Sequence, residues 1–555
     1  MGMLQIGLTG LMAARYQLDT ASHNIANANT EGYSRQRVNQ STQFPQFVGF
    51  GYIGRGALLV GVERAYDQFL QGNLLAATTR YAQAQHYQEL IAPLDNLVAD
   101  PDAGLSPALQ QFFDAVQEVA DNPESIAARQ SLLSQGEVLT ARFRLFDARI
   151  DEIRQNVEQR LDGVAQQVTA LARNIADLNQ QILQASTRGA EAPPNDLLDQ
   201  RDQLAKELAG LIGIKTVIDD QGMMSVFIGS GQTLVQGVAS ATLATEADPG
   251  DAMHRRLTYQ FGGSGAPQVL PERLVTGGEL GALLAFRREG LDRIQDQLGF
   301  LATTLALAFN AQHQQGYGLD GVTNRDFFGG VPSTQTFTGD QGSNLTVGWA
   351  TPLDVAAMQP ASFEIRYDGS NYTITRLHDG QSLYTGATLP ATFQGLTLTG
   401  TLNAGERVVV RPFPAQGGTL AVALTDPRAV AAAQADPTSA TGSGPADNVN
   451  MLALSSLQTT KTLYADALGI PTATFQTAWA SAVAELGTLA RSVKTEATAS
   501  KALVDQVQAT RDSYAGVNLD EEAANLIQFQ QAYQAASKTM QIAQKLFDEV
   551  LAIAQ

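Results

Sequence analysis

The sequence predicts a mainly α-helical protein with β insertions (α+β, multidomain), in which an elongated helical-bundle rod carries terminal coiled-coil helices and two small β modules. Three observations predict this fold. At 555 residues the chain exceeds the length that one hydrophobic core normally serves, so several domains are expected. Both ends, residues 7–36 and 514–553, carry uninterrupted seven-residue apolar repeats, which are typical of coiled-coil helices. Between them the apolar period changes from helical to alternating at residues 213–278 and again at 327–425.

The first helix is predicted by two heptad positions, one with large residues and one with small residues, which lets a partner helix approach closely. The large residues are Leu4, Leu11, Leu18 and Ile25, and the small ones are Gly7, Ala14, Ala21 and Ala28. A turn signal at residues 29–32 ends the pattern. We therefore assign residues 1–34 to a terminal coiled-coil helix, and expect extended loop or short strands up to residue 64.

A helical rod domain is predicted from three separated stretches, residues 35–212, 279–326 and 426–513. Breaks in the first stretch are expected at Pro93, Asp100-Pro101, Pro107 and Asn122-Pro123. Its strongest pattern alternates apolar spacings of three and four, which predicts a long coiled-coil-like helix. That pattern comprises Val157, Leu161, Val164, Val168, Leu171, Ile175, Leu178 and Ile182. Pro193-Pro194 ends this helix, and a further one begins at Asn195.

Two β modules are predicted where β-branched and aromatic residues alternate between turn signals. In the first, residues 213–278, strands are expected at Ile214–Ile218 and Met224–Ile228 around a turn ending at Gly222. In the second, residues 327–425, a hairpin is expected at 363–375 with its turn at Asp368-Gly369, followed by strands at 396–398 and 408–410. A linker rich in Pro, Gly, Ser and Thr is expected at residues 436–447.

The last helix, within residues 514–555, is apolar at both heptad positions along its whole length. One position holds Leu526, Tyr533, Met540 and Phe547, and the other holds Phe529, Ala536, Ala543 and Val550. Asn518 is the predicted N-cap, and the acidic residues 520–522 favour the positive end of the helix dipole.

Composition excludes several classes of protein. The net charge of −19 disfavours nucleic acid and anionic membrane surfaces as partners. The absence of cysteine excludes disulfides, thiolate metal sites and a cysteine nucleophile. No signal peptide and no apolar run of membrane-spanning length is apparent, so export without a cleaved signal is expected. The five histidines are dispersed, and no metal, nucleotide or nucleophile motif is present, so the sequence predicts neither an enzyme nor a cofactor or metal site.

The residues 22–33, SHNIANANTEGY, resemble the N-terminal signature of flagellar rod, hook and hook-associated proteins. The following Ser34-Arg35-Gln36 is similar to the variant found in the hook-associated protein 1 (FlgK) family. Residues 195–204 (NDLLDQRDQL), 309–315 (FNAQHQQ) with 326–328 (DFF), and 517–551 agree with that family. Asparagine is a mediocre helix former, so Asn24, Asn27 and Asn29 are expected to hydrogen-bond packed neighbours rather than to form an ordinary solvated face.

The resemblance implies a structural subunit of the bacterial flagellum, located outside the cell at the junction of hook and filament. It implies self-assembly into an axial ring, with hook protein below and a second junction protein and the filament above. It also implies type III export and a cytoplasmic chaperone on the C-terminal helix, with Leu526, Tyr533 and Met540 as candidate contacts. We assign the axial-assembly interface to Asn24, Asn27, Asn29, Gly32, Tyr33 and the heptad residues Leu4, Leu11, Leu18, Ile25, Leu526, Phe529, Tyr533, Ala536, Met540, Ala543, Phe547 and Val550.

Two alternatives remain open at this point. A hook or distal-rod axial protein shares the asparagine-rich signature, although the SRQ continuation and the QFQQAYQAASK segment disfavour it. A secreted adhesin or binding protein would use the β modules as binding domains, but their Thr- and Gly-rich strands contain few aromatic residues.

Overall fold

The computed structural model describes residues 2–47, 49, 51–100, 104–187, 193–229, 231–263, 265–440, 442 and 444–553. These residues form the helices α1 (Gly2–Asn27), α2 (Gln68–Val98), α3 (Leu105–Asp121), α4 (Ile126–Thr187), α5 (Asn195–Leu211), α6 (Gly278–Phe286), α7 (Asp292–His313), α8 (Gln416–Thr419), α9 (Val449–Ser456), α10 (Phe475–Ala515) and α11 (Leu519–Ile553). A π-helical turn, Arg287–Leu291, joins α6 to α7, and 3₁₀ segments lie at Glu272–Leu274 and Pro427–Ala429.

The strands of the same residues are β1 (Gln36–Thr42), β2 (Gln46–Phe47), β3 (Tyr52–Ile53), β4 (Ala57–Arg64), β5 (Ile214–Ile218), β6 (Met224–Ile228), β7 (Gln232–Gln236), β8 (Ala239–Asp248), β9 (Asp251–Phe261), β10 (Gln268–Leu270), β11 (Phe328–Gly329), β12 (Thr334–Thr338), β13 (Asn344–Trp349), β14 (Phe363–Tyr367), β15 (Tyr372–Arg376), β16 (Ser382–Gly386), β17 (Thr392–Phe393), β18 (Leu396–Gly400), β19 (Arg407–Val410), β20 (Ala421–Val422), β21 (Leu463–Ala465) and β22 (Pro471–Ala473).

The strands pair in sheets that are antiparallel throughout the described residues. One six-stranded sheet has the order β10-β9-β8-β7-β6-β5, and two four-stranded sheets have the orders β12-β13-β18-β17 and β16-β15-β14-β19. Two-stranded pairs are β1-β4, β2-β3, β11-β20 and β21-β22. The predicted α+β fold class is confirmed. None of the described helices has both the length and the hydropathy of a membrane-spanning segment.

Local sequence signals place many element ends correctly. β5 and β6 coincide with the predicted strands, and Gly222 in the turn between them has φ +77°. Asn518 caps α11, because its side-chain oxygen accepts from the backbone N–H of Asp520 at 3.0 Å. α3 ends at Asp121, immediately before the predicted break at Asn122-Pro123. Residues 441 and 443, within the predicted linker, lie outside the described residues, as does Pro101.

Two predicted breaks are wrong. Pro93 lies inside α2, and Pro107 lies in the first turn of α3. A first-turn proline costs no hydrogen bond, since its missing N–H would have no partner in the helix. Pro93 does remove one, but its neighbours Ile91 and Leu94 are fully buried, and their packing holds the helix together.

The 62-residue helix α4, about 93 Å long at 1.5 Å per residue, is the axis of the rod. Its predicted apolar stripe is buried, but its partners are α5 and the six-stranded sheet rather than a single coiled-coil helix. Polar groups fix the sheet to the helix. Thr169 Oγ1 accepts from Leu243 N and donates to Leu243 O, both at 2.9 Å, and Asn179 bonds the backbone of Met224 and Gly237. The first β module thus shares the core of the helices.

The second β module has a hydrophobic core of its own. Its two four-stranded sheets enclose Leu345, Val347, Phe363, Ile365, Ile374 and Val408, all at most 2% exposed. The module returns to the rod through residues 411–422, where β20 pairs with β11.

A buried charged cluster attaches this second module to the rod and to the first sheet. Arg411 bonds Asp251 of β9 (Nη2 to Oδ2, 2.8 Å) and Asp292 of α7 (Nη1 to Oδ2, 3.3 Å). His254 Nε2 lies 3.1 Å from Asp292 Oδ1. Although burial acts in the opposite direction, Arg411 and His254 hold the pKa of Asp251 below its ordinary value. The attachment of the module therefore depends on charges that compensate one another.

Candidate functional site: where the terminal helices meet the rod

The two chain ends form an antiparallel helix pair. Gly7 and Gly10 of α1 face Met540 and Ala536 of α11, and a Cβ built on Gly7 would lie 3.0 Å from Met540 Cγ. At the other end of the pair, Asn24 contacts Glu522. The small residues of α1 let the two backbones come close, as the large-and-small heptad pattern predicts. We call this α1–α11 pair the terminal hairpin.

The predicted heptad residues take different positions in the terminal hairpin. The small residues Gly7, Ala14, Ala21 and Ala543 are buried. The half-buried residues are Leu4, Leu11, Leu18, Ile25, Ala28, Leu526, Phe529, Ala536 and Met540. Three remain exposed: Tyr533 at 37%, Phe547 at 50% and Val550 at 64%. The pairing of α1 with α11 thus buries the small heptad residues and leaves three large ones exposed to solvent.

A second apolar surface of the terminal hairpin is exposed. It comprises Met3, Ile6, Leu8, Met12 and Tyr16 of α1 and Leu519, Ile527, Ile542, Leu546 and Ile553 of α11. Large exposed apolar residues in this number, on two helices that pack together, are typical of a region that another protein covers.

Asn24 joins α1 to the chain segment that follows it and to the start of α11. Its Nδ2 donates to Gln36 O at 2.9 Å and to Glu522 Oε2 at 3.2 Å. Its Oδ1 accepts from Gln36 N at 3.0 Å and from the Tyr33 hydroxyl at 2.8 Å. Both donor protons and both acceptor lone pairs are therefore used, which is the full capacity of an amide. The side chain is only 1% exposed.

The three asparagines of the signature have different surroundings. Asn27 bonds backward along α1, to His23 O at 3.0 Å. Asn29 is exposed, and its side chain makes no hydrogen bond to any described residue. Asn24 and Asn27 thus act within the chain, whereas Asn29 is available to a neighbouring molecule.

Gly32 and Tyr33 form a defined stop after α1. Gly32 has φ +83°, and a Cβ there would lie 3.0 Å from Gln203 Oε1 of α5, so the turn requires glycine. The Tyr33 ring packs edge-on against His23, with centroids 5.6 Å apart. Burial, together with the nearby carboxylates of Asp196 and Asp199, raises the pKa of Tyr33. The phenol therefore remains a hydrogen-bond donor to Asn24.

Ser34 connects the signature to two rod helices. Its backbone N–H donates to Asp199 Oδ2 of α5 at 2.8 Å. Arg511 of α10 donates to Ser34 Oγ at 3.1 Å and to Gly32 O at 3.2 Å. The chain is thereby held between α5 and α10 at the point where it leaves α1.

Arg35 and Gln36 complete the SRQ motif. Arg35 Nε lies 2.7 Å from Glu522 Oε1, and its Nη1 lies 2.8 Å from Glu521 Oε2, so the start of α11 is held by an ion pair. Gln36 Nε2 donates to Asp196 Oδ1 at 2.8 Å. Together the three residues of the motif contact α5, α10 and α11.

Residues 195–204, NDLLDQRDQL, form the rod side of this site. Asp199 and Asp202 of α5 each lie 2.7 Å from Arg64 Nη1, and all three side chains are less than 10% exposed. Asn195 donates to Val62 O at 2.9 Å. Because β4 ends at Arg64, these contacts fix the β1–β4 pair to α5.

Sequence reasoning missed Asp199, Glu522 and Arg511 as parts of the site. One signal was available for α5, because residues 196, 199 and 202 are acidic at spacings that place them on one helix face. Glu522 was interpreted only as a favourable charge at a helix N-terminus. Within the described residues, no group of three or more His, Asp or Glu side chains could hold a metal ion.

Comparisons with known proteins agree with this architecture. Residues 91–328 match the flagellar hook-associated protein FlgK helical domain, residues 508–553 the flagellar basal body rod FlgEFG protein C-terminal region, and residues 4–33 the flagella basal body rod protein family. Flagellar hook-associated protein 1 of Escherichia coli (strain K12) is 32% identical over 556 residues, and the alignment covers 99% of both chains. The chain belongs to the hook-associated protein 1 family.

More distant members of the family support the same assignment. Flagellar hook-associated protein 1 of Bacillus subtilis (strain 168) is 23% identical over 576 residues, covering 99% of this chain and 97% of its own. The structure of the flagellar hook junction protein FlgK from Burkholderia pseudomallei matches with a TM-score of 0.72 at 27% identity, covering 80% of this chain and 100% of that one. As a hook-associated protein 1, the chain is a structural component of the flagellum that acts at the hook–filament junction. The predicted resemblance is confirmed, in preference to the hook or distal-rod alternative.

Proposed function

We propose that copies of this chain form an axial ring in which the terminal hairpins make the inner tube. The exposed large apolar residues of the hairpin carry this proposal, because such residues, when they are grouped, typically mark a site that another protein covers. The rod would form a shell around the tube, and the two β modules, residues 213–278 and 327–425, would lie outside it. In this arrangement the assembly-interface residues divide into two groups: Asn24, Gly32, Tyr33 and the buried heptad residues shape the hairpin, and Asn29, Tyr533, Phe547 and Val550 contact neighbours.

The proposed partners are hook protein below the ring, and a second junction protein and the filament above it. The proposed location is outside the cell, reached by type III export without cleavage of a signal. We propose no catalytic role, since the buried charged groups described above bond one another and hold helices and sheets together.

Deleting the gene tests the proposed function. We expect cells with bare hooks and unpolymerised filament protein in the medium, because filament subunits would have no compatible surface on which to assemble. Electron microscopy of the cells and a blot of the medium provide the measurement, and expression of the intact chain from a plasmid is the control. Complete filaments on the deletion strain would refute the proposal.

A cytoplasmic chaperone is proposed to bind α11 before export through Leu526, Tyr533 and Met540. Met540 packs on Gly7 in the folded chain, so the chaperone would have to bind α11 separated from α1. Replacing all three residues by serine should lower chaperone affinity at least about 100-fold, since each anchor contributes about 1 kcal/mol or more. Copurification of the chaperone with the full chain measures this.

The matched control replaces Ile527, Ile542 and Leu546, three exposed aliphatic residues of the same helix, by serine. This control should retain the chaperone. Loss of the chaperone in the control together with retention in the first variant would place the chaperone on the exposed surface of α11 instead.

A further inference from the structure

The described residues of 36–47 and 51–64 form a two-stranded arm with an apolar end. Strands β1 and β4 form its base, and β2 and β3 pair at its end. There Phe44 is 93% exposed, Tyr52 75%, Phe47 60% and Ile53 48%. Phe47 and Tyr52 pack only partly on each other, with ring centroids 5.3 Å apart. We call these four residues the aromatic tip. The sequence has no charged residue between Arg37 and Arg55.

The arm is held along α1. At its base Gln36 bonds Asn24, and farther out Gln17 Nε2 donates to Gln40 Oε1 at 3.5 Å. Near the tip, Gly56 has φ +103°, and a Cβ there would lie 2.2 Å from Thr9 Oγ1. Contacts at the base of the arm and next to the tip therefore hold the arm along α1.

A groove of about 530 Å³ opens at the other end of α1. It lies between α1 and the start of α5, and Tyr16, Thr20, Val62, Pro193, Pro194 and Leu197 line it. We call it the proline groove. Asp19 and Asp196 also face it. Thr9, which contacts the arm, and Thr20, which lines the groove, are about 16 Å apart along the helix, so the tip of one chain does not reach its own groove.

We propose that the aromatic tip of one copy docks in the proline groove of the next copy. A head-to-tail contact that closes a ring needs two different complementary surfaces on one chain, and the tip and the groove are such a pair. Their charges also agree. Arg55, which follows the tip, is exposed and makes no ion pair among the described residues, whereas the groove carries Asp19 and Asp196. The inference rests on the proposed ring assembly and names one contact within it.

Cysteine cross-linking in isolated flagella tests the contact, since the natural chain has no cysteine. The variant carries Gln46→Cys beside the tip and Thr20→Cys in the groove, which leaves all four aromatic-tip residues in place. A disulfide needs Cα atoms within about 7 Å, so it can form only between copies. We expect a ladder of covalent multimers after mild oxidation. Each single-cysteine variant should give dimers at most. A mismatched pair combines Gln46→Cys with Ser370→Cys, which lies on the exposed turn of the second β module, and it should give no ladder.

Serine substitution tests whether the contact matters for assembly. Phe44→Ser with Tyr52→Ser should reduce the amount of chain in flagella at least about tenfold while the chain still appears in the medium. The matched control is Leu468→Ser with Ile470→Ser, which removes residues that are 84% and 56% exposed at another hairpin. This control should assemble normally.

The possible failures are distinguishable. The docking contact is wrong if the cysteine pair gives no ladder, or if the bands contain another protein, in a strain whose filaments the chain restores. The proposed ring assembly would not be affected by that result. Normal assembly of the tip variant also overturns the docking contact. If the deletion strain makes complete filaments, the proposed function fails and the docking contact fails with it.

Discussion

Asn24→Asp should loosen α1 from β1 and from the start of α11. The introduced carboxylate cannot donate to Gln36 O or to Glu522, and it places a second negative charge 3.2 Å from Glu522 Oε2. Two buried hydrogen bonds are lost and a repulsion is gained. We expect a local destabilisation of about 3 kcal/mol, which corresponds to an opening equilibrium on the order of 100-fold larger. Flagella should then lack the protein.

Hydrogen exchange of α1, followed by mass spectrometry on the purified chain, measures this opening directly. The exchange of residues 11–27 should accelerate on the order of 100-fold, and α4 should be unaffected. Asn29→Asp is the matched control, because Asn29 is exposed five positions farther along the same signature. In Asn29→Asp the hydrogen exchange of α1 should equal that of the natural chain. Equal protection of α1 in both variants would show that Asn24 does not hold α1 to β1 and to the start of α11.

Arg411→Met should detach the second β module from the rod. The variant leaves Asp251 and Asp292 buried without the arginine that pairs with both, and removal of one partner from a buried ion pair typically costs about 3–5 kcal/mol. The module has its own core, so it should remain folded while its attachment loosens. Arg366→Met, which removes an arginine 55% exposed on the same module, is the control and should have no effect.

The loss of stability in Arg411→Met should depend on pH. In the natural chain burial opposes ionisation, but Arg411 and His254 lower the pKa of Asp251 and Asp292 below the ordinary value of 3.8. Their contribution to stability is therefore complete above pH 3.8 and is lost only as the pH falls below it. Without Arg411 these carboxylates gain protons more readily when buried. The deficit of the variant should thus be larger at pH 7 than at pH 4.5.

Trp349 offers the measurement. It lies in β13 and stacks on Phe413 of the return segment, with centroids 6.1 Å apart. The chain has two tryptophans, so a Trp479→Phe background leaves Trp349 as the sole reporter. We expect the midpoint of the urea transition reported by Trp349 to lie at a lower urea concentration in Arg411→Met. In Arg366→Met the midpoint should be unchanged. A transition shared by all three proteins would contradict the role of the charged cluster.

The candidate site was only partly predictable from sequence. The three asparagines of residues 24–29 were identified because their number exceeds what helix propensity explains. Which of them is buried was not predictable, since the partners of Asn24 lie 9, 12 and 498 residues away. The SRQ motif was identified by resemblance. Its physical role depends on contacts to α5, α10 and α11, which only the tertiary structure brings together.

Sequence by itself determined the periodic elements: the heptad repeats of both ends, the long apolar stripe of residues 157–182, the strands β5 and β6, and the cap at Asn518. These depend on neighbours a few residues apart, and local patterns report such neighbours directly. Tertiary structure decided the rest. Pro93 remains helical because buried neighbours outweigh one missing hydrogen bond. The stripe of α4 is covered by a sheet as well as a helix, because any complementary apolar surface can bury it. Asn24 became the centre of the site because folding brings the two ends of the chain together, and no local pattern encodes that distance.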